Sequence, residues 1–308
     1  MRAISPRPTT LLDVTDLLPR SEVRVVIASE TFQHTGSFKF RAAFQVARNA
    51  PQSHIIAASS GNFGQALALA CRVFGKQCTI VMPETSAKVK LDAVRAHGAN
   101  LDLIDVRKIS REARVAQLAD EISDAYITSA FDDPWVIAGN ATLGSEILER
   151  CSEVETIIAP LGGGGLTAGL VLAVREANRK VSVIAAEPLV ANDGSRSFRA
   201  GHLISNESEP QTIADGARTR SLGKRNWEIL HTQGGLSEVM EVSEDAIRDA
   251  VRLLFLKTNL KVEPTGALAV GALISSPERF MQGGLVCCVV SGGNVDPLVY
   301  AEILNCGR

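Results

Sequence analysis

Lys39 lies in Thr35-Gly36-Ser37-Phe38-Lys39-Phe40-Arg41, a stretch whose residue types put one amine just inside a helix start. Ser37 reads as the N-cap and Gly36 as the residue that frees the turn, ahead of a helix over residues 42–50. An ammonium in a first helical turn faces the positive end of the helix dipole. That favours the neutral amine, the form that attacks aldehydes. A lysine beside a cap is more often a solvated surface group, so the meaning of this one depends on its companions.

Four loops supply them. Residues 55–58 read as a strand running into Ser59-Ser60-Gly61-Asn62, with a helix following. A strand end that opens onto a helix start directs backbone N–H groups outward, where α/β folds hold anions; a plain capped turn is the other meaning. Gly162, Gly163, Gly164 and Gly165 stand between a buried strand and a helix, and four glycines carry more backbone entropy than a simple turn requires. A close approach to a phosphate explains them. No Gly-Lys-Ser/Thr ending follows, which excludes a nucleoside-triphosphate loop. Ser291-Gly292-Gly293-Asn294 again sets small polar residues at the end of a buried strand, although such a stretch is often only a turn. Glu187 and Asp193 place two carboxylates near a kinked backbone. Oxygen ligands of that kind suit a hard divalent cation such as magnesium or calcium, and a solvated acidic loop is the commoner reading. Gly163, Gly165 and Ala168 also fit a loose nicotinamide fingerprint with Glu187 as the ribose contact, but that reading leaves the lysine stretch and two of the loops without a role.

The elements that must position these loops alternate along most of the chain. Residues 23–28, 55–58, 78–82, 101–106, 156–160, 181–186 and 285–290 read as strands. Helices are expected over 64–74, 87–97, 111–123, 137–150, 166–177, 243–258 and 265–274. Alternation of this kind implies parallel sheets covered by helices. The opening, with Pro6, Pro8 and residues 9–12, reads as an irregular arm, and 192–212 as polar and irregular. Phe131-Asp132-Asp133-Pro134 is a turn-rich candidate for a crossing between lobes.

With 308 residues, 45% hydrophobic and 21% charged, the composition is that of an ordinary globular protein. A formal net charge of −2 without a basic run argues against a nucleic-acid partner. No apolar run has the length of a signal peptide core or a bilayer span, so a cytoplasmic protein with no membrane partner is expected. Cys71, Cys78, Cys151, Cys287, Cys288 and Cys306 lack paired metal-binding spacing and read as reduced, structural thiols.

Taken together and in order, the lysine stretch, Ser59-Ser60-Gly61-Asn62, the tetraglycine and Ser291-Gly292-Gly293-Asn294 resemble fold-type II pyridoxal-phosphate enzymes. The nearest branch is that of the serine/threonine dehydratases and serine racemases. The resemblance implies an α/β, two-lobed, tryptophan synthase beta-like fold, with a large cofactor-binding domain from residues 1–51 and 131–308 and a small domain from 52–130. It makes Lys39 the Schiff-base lysine and general base, with pyridoxal 5'-phosphate as cofactor. Gly162, Gly163, Gly164 and Gly165 would cradle its phosphate, Phe38 flank its ring, Asn62 bond its ring hydroxyl and Ser291 its pyridine nitrogen. Ser59, Ser60, Gly61 and Asn62 would receive the carboxylate of an amino acid substrate, with Phe63 on the pocket wall. Ser60 would be the second proton acceptor of a racemase. Glu187, the carbonyl of Ala191 and Asp193 match a divalent-cation site, and a homodimer is expected. The implied reaction is dehydration of a β-hydroxy amino acid to a 2-oxo acid and ammonia, with racemisation next and cysteine-synthase-type β-replacement below it. The sequence departs from the family at Phe63, where histidine is frequent, at Ala42 in place of glycine, and at Asn140 in place of glutamine.

Overall fold

A computed structural model describes residues 4–17, 23–281 and 284–305 of the chain. Residues 4–9 of the opening are irregular, as expected, but the segment after them is not. Thr10–Asp13 forms strand β1, antiparallel to β2 (Val25–Ser29), with Leu11 opposite Ala28 and Leu12 opposite Ile27. Pro6 and Pro8 both precede the paired residues, so the strand keeps every N–H its ladder needs.

The chain continues through α1 (Lys39–Asn49), β3 (His54–Ala58), α2 (Asn62–Val73), β4 (Gln77–Pro83), α3 (Lys88–Ala96), β5 (Asn100–Ile104), α4 (Arg111–Glu121) and β6 (Ala125–Thr128). The last four strands make a separate parallel sheet in the order β5-β4-β3-β6. Then come α5 (Pro134–Arg150), β7 (Val154–Pro160), α6 (Gly165–Glu176), β8 (Ser182–Pro188), α7 (Asp193–Ala200), α8 (Lys224–His231) and β9 (Glu238–Val242). Helices α9 (Glu244–Thr258) and α10 (Pro264–Ser275), strand β10 (Leu285–Val290) and helix α11 (Pro297–Asn305) complete the order. The larger sheet runs β1-β2-β10-β7-β8-β9 and is parallel apart from β1. The architecture is therefore two helix-covered sheets, as the alternation implied.

Both sheets are covered on both faces. In β10, Val286, Cys288 and Val290 enter one core while Leu285, Cys287 and Val289 enter the other, which is why this strand reads as an unbroken apolar run. In β3, Ile55 and Ala57 face one core of the smaller sheet and Ile56 the other. Cys71, Cys78, Cys151, Cys287 and Cys288 are free and buried packing groups, and burial pushes Cys288 up to about 12. Cys306 lies outside the described residues.

Helix starts follow their caps. Asp133 accepts the N–H groups of Trp135 and Val136 at 2.8 and 3.3 Å, with Pro134 as the first helical residue of α5. This turn carries the chain from β6 of the smaller sheet towards β7 of the larger. Residues 193–200, expected to be irregular, are α7. The sequence Asp-Gly-Ser-Arg-Ser-Phe-Arg-Ala carries no apolar stripe, and the helix is held instead by Glu187 at its N-terminus and by Ser197 Oγ on Asp193 O at 2.6 Å. Strands β6 and β9 lie at sheet edges, and with helices α8 and α11 they gave too short or too polar a pattern to be read from the sequence.

One buried charge cluster fixes the N-terminal segment to α1. Arg41 bonds Glu30 at 2.7 Å, Glu146 at 2.8 Å and the Arg7 carbonyl at 3.0 Å. Glu146 also accepts the Thr9 N–H at 2.8 Å. With Arg41 and Glu30 each 1% exposed, removal of Arg41 would leave the Glu30 carboxylate without water or counter-ion, whereas removal of Glu30 would leave Arg41 to Glu146 alone. No helix among the described residues is long and apolar enough to cross a membrane.

Candidate active site

The C-terminal ends of parallel strands gather the chemistry-bearing loops, the position at which open α/β sheets hold ligands. The lysine loop follows β2 and is sewn to the loop after β10. Phe38 N–H donates to Ser291 O at 2.9 Å, Gly293 N–H to Gly36 O at 3.0 Å, and Ser37 bridges Gly292. The turn needs left-handed backbone at Thr35, φ 60°, and at Gly36, φ 73°. A Cβ on Gly36 would also crowd the Asn294 side chain, adding to the strain of a positive φ.

Helix α1 begins earlier than expected, at Lys39 with Phe38 as N-cap, and Ser37 does not cap it. Ser37 is fully buried in extended backbone and its hydroxyl has no partner. The Lys39 amine donates to Ala130 O at 2.7 Å and lies 4.9 Å from the centre of the Phe38 ring and 5.9 Å from that of Phe63. Its pKa is lowered to about 8. Desolvation is the leading cause, with the carboxylate of Glu263 pulling the other way. The expected direction holds, with burial as the leading cause.

Asn62 opens α2 and reaches across to the larger sheet. Its Nδ2 donates to Glu263 Oε1 and Oε2 at 2.9 and 3.1 Å, and its Oδ1 accepts from Asn294 Nδ2 at 2.8 Å. Glu263, 4% exposed, was not singled out by sequence reasoning; the available signal was a lone carboxylate between Val262 and Pro264 at a helix start. Burial raises it to about 7, against the lowering effect of the Asn62 and Asn294 donors. Ser59 Oγ turns into its own loop and accepts the N–H groups of Gly61 and Gly64 at 3.4 and 3.1 Å. Ser60 is half-buried, and a Cβ on Gly61 would meet open space. Phe63 is 1% exposed and packs in the core with Phe40 and Val136 while its ring face lies towards the Lys39 amine.

The tetraglycine is explained in part by protein rather than by a ligand. A Cβ on Gly162 would strike Gly216 O at 2.9 Å, one on Gly163 the Phe131 ring at 2.3 Å, and one on Gly165 Phe131 O at 2.6 Å; Gly164 has φ 89°. Asn226, also missed, fastens the loop by donating to Gly163 O at 2.7 Å and Phe131 O at 3.0 Å. Among the described residues no hydrogen bond uses the N–H groups of Gly162, Gly163 or Gly164, which leaves the donor side of the loop available to an anion. Ser291, 1% exposed, has a hydroxyl without a partner at the end of β10. A desolvated amine, an unused row of loop N–H groups and an orphaned serine hydroxyl fit an aldehyde-bearing phosphorylated heterocycle. Asn140, fully buried on α5, has neither amide atom bonded, and nothing in the structure explains this.

Glu187 and Asp193, each 2% exposed, come together at the start of α7 beside buried Ala191. Glu187 accepts the N–H groups of Ser195 and Gly194 at 2.5 and 3.2 Å and faces Glu241 across the β8–β9 ladder. Burial pushes Glu187 up to about 8 and Asp193 up to about 6, and Asp193 Oδ2 has no partner. No group of three or more His, Cys, Asp or Glu able to hold a metal occurs among the described residues.

The model of the pyridoxal-phosphate dependent enzyme family matches residues 4–292, and the chain belongs to that family. It is 36% identical to a serine racemase of Bos taurus over 276 residues, 87% of this chain and 81% of that protein. It is 35% identical to an L-threo-3-hydroxyaspartate ammonia-lyase of a Pseudomonas species over 286 residues, 92% of this chain and 88% of the relative. The solved structure of the T.th. threonine deaminase superposes with a TM-score of 0.88 at 38% identity, covering 94% of each chain. The protein is a fold-type II pyridoxal-phosphate enzyme.

Proposed function

We propose that the protein is an ammonia-lyase that dehydrates a β-hydroxy amino acid, yielding ammonia and a 2-oxo acid, the water lost on elimination being taken up again on hydrolysis. The observation that carries this is the Lys39 amine, held at 2.7 Å from a carbonyl between two phenyl rings, with its pKa lowered to about 8. Such an amine alternates between covalent attachment and proton abstraction near neutral pH. When bound, pyridoxal phosphate supplies an electron sink for the α-carbon. The rest is work for the chain. Gly162, Gly163, Gly164 and Gly165 hold the phosphate, Phe38 flanks the ring, and Asn62 donates to the ring hydroxyl. The Ser291 hydroxyl would meet the ring nitrogen and, unlike an aspartate, would not fix a proton on it. The Ser59-Ser60-Gly61-Asn62 loop receives the substrate carboxylate and Phe63 forms an apolar wall. Lys39 takes the α-proton as the β-hydroxyl departs, and water then releases ammonia.

A second reading, racemisation, is favoured by Ser60, whose hydroxyl has no hydrogen bond among the described residues. Inversion needs a proton acceptor on each face, and Ser60 is the candidate opposite Lys39. Glu187, Ala191 and Asp193 are read as a divalent-cation site, supported by the orphaned Asp193 Oδ2. Two separate sheets support a small domain of 52–130 set in a large one of 1–51 and 131–308. A cytoplasmic homodimer is the expected assembly. The test is incubation of the purified protein with each enantiomer of serine, threonine and 3-hydroxyaspartate. Formation of 2-oxo acid and ammonia in equal amounts is expected, and a visible band that borohydride removes. Inversion without 2-oxo acid would favour the racemase, and neither product would sink both readings.

A further inference from the structure

Glu263 is the N-cap residue of α10, yet its side chain caps nothing there. It turns towards the other lobe, where its two oxygens meet only donors. Asn62 Nδ2 lies 2.9 and 3.1 Å from them, and the Asn294 backbone N–H lies 3.1 Å from Oε2. The far end of the Asn62 amide is engaged as well, by Asn294 Nδ2 at 2.8 Å and Gln65 Nε2 at 3.4 Å. Turning the amide over would set nitrogen against nitrogen and oxygen against carboxylate, so Asn62 has one orientation. One of its two N–H groups points at Glu263, and the second remains.

We propose that Glu263 is a positioning residue for the cofactor, aiming the remaining N–H of Asn62 at the ring oxygen. It rests on the reading of Asn62 as the donor to that oxygen. Asn62 opens a helix packed on the smaller sheet, whereas Glu263 and Asn294 belong to the larger, so these bonds also fix the angle at which the donor from one lobe meets a ring held by the other. The role requires a carboxylate. Glutamine has nearly the same shape but a single accepting oxygen, and its amide nitrogen would face either Asn62 Nδ2 or the Asn294 N–H. A packing role tolerates Glu263→Gln; a positioning role does not.

The experiment compares wild type, N62A, E263Q and N62A/E263Q, each loaded with pyridoxal phosphate. It reads the ratio of visible to near-ultraviolet absorbance of the bound cofactor and the cofactor affinity of the apo-protein. N62A and E263Q are expected to lower the ratio alike. E263Q should weaken affinity by about tenfold, the weight of one hydrogen bond to a charged group, and the double variant should lie no lower than N62A alone. E263D, which keeps two accepting oxygens, should restore part of the ratio, and it carries the same cycle with N62A if E263Q does not fold. A wild-type spectrum for E263Q, or effects that add in the double variant, overturns the positioning role while leaving Asn62 at the ring oxygen. A wild-type spectrum for N62A removes Asn62 from the ring oxygen and the proposal with it.

Discussion

Glu263 and Glu187 are buried to nearly the same degree, 4% and 2% exposed, and burial raises both, to about 7 and about 8. Their surroundings separate them. Glu263 has a donor on each oxygen, and its charge neighbours are of both signs, Asp215 on one side and the Lys90 and Lys39 amines on the other. Glu187 is answered by two backbone N–H groups, and its charge neighbours are Asp193 and Glu241, with Asp193 Oδ2 bonded to nothing. Burial of a carboxylate therefore does not reveal its task. The donors around it and the sign of its neighbours separate the two: the first pattern suits the proposed positioning of another side chain, the second the proposed cation, whose charge would favour ionised carboxylates.

The largest effect should come from the lysine side alone. Lys39→Ala is expected to reduce turnover by about a thousandfold or more and to eliminate the borohydride-trapped adduct seen by mass spectrometry, since both covalent attachment and proton transfer go with the amine. Its melting response to calcium should match wild type, because the Glu187–Asp193 pocket is untouched. An adduct at the wild-type level would break the assignment of the lysine.

Ser60→Ala should lower racemisation and dehydration of the D-enantiomer by about a hundredfold, with dehydration of the L-enantiomer surviving in part. Chiral chromatography with 2-oxo acid detection measures both. Equal losses for the two enantiomers would leave Ser60 as a carboxylate contact only.

The carboxylate pocket is tested by stability rather than by the cofactor spectrum. Chelation should lower the melting temperature by about 5 °C, and magnesium or calcium should restore it. The pH dependence follows from sign. With its folded pKa raised to about 8 from 4.5, cation-free Glu187 keeps its proton in the folded state after the unfolded chain has lost it. Stability is thus fullest at or below the unfolded value and falls as pH rises towards 8. A bound cation favours the ionised form and should flatten that fall. Identical melting curves with and without cation across this range would erase the difference drawn between the two glutamates.

Phe63→His should have the smallest effect, a shift of about tenfold or less in relative turnover towards serine, with cofactor affinity unchanged. Phe63 is packed with Phe40 and Val136 as well as facing the amine. An unaltered preference across a panel of β-hydroxy amino acids, together with a lowered melting temperature, would mark it as core alone.

The alternation of strands and helices was legible in the sequence because each local period states which face is apolar, and β10 occupies the residues expected of it. Lys39, Asn62, the tetraglycine and Ser291 were legible for a related reason: each sits where a strand gives way to a helix or a tight turn, a boundary marked by glycine and small polar residues. What tied them together was not. Asn62 meets Glu263 across 201 positions, and Thr35 O meets Asn294 across 259, separations that no local pattern encodes. The same holds for the glycines, whose missing Cβ atoms make room for Phe131 and Gly216, and for α7, a polar helix that exists because Glu187 receives its first N–H groups. The sequence alone determined which residues could do chemistry. Tertiary structure decided their charge state and aim, since desolvation and hydrogen-bond geometry arise only when distant segments exclude water from one another.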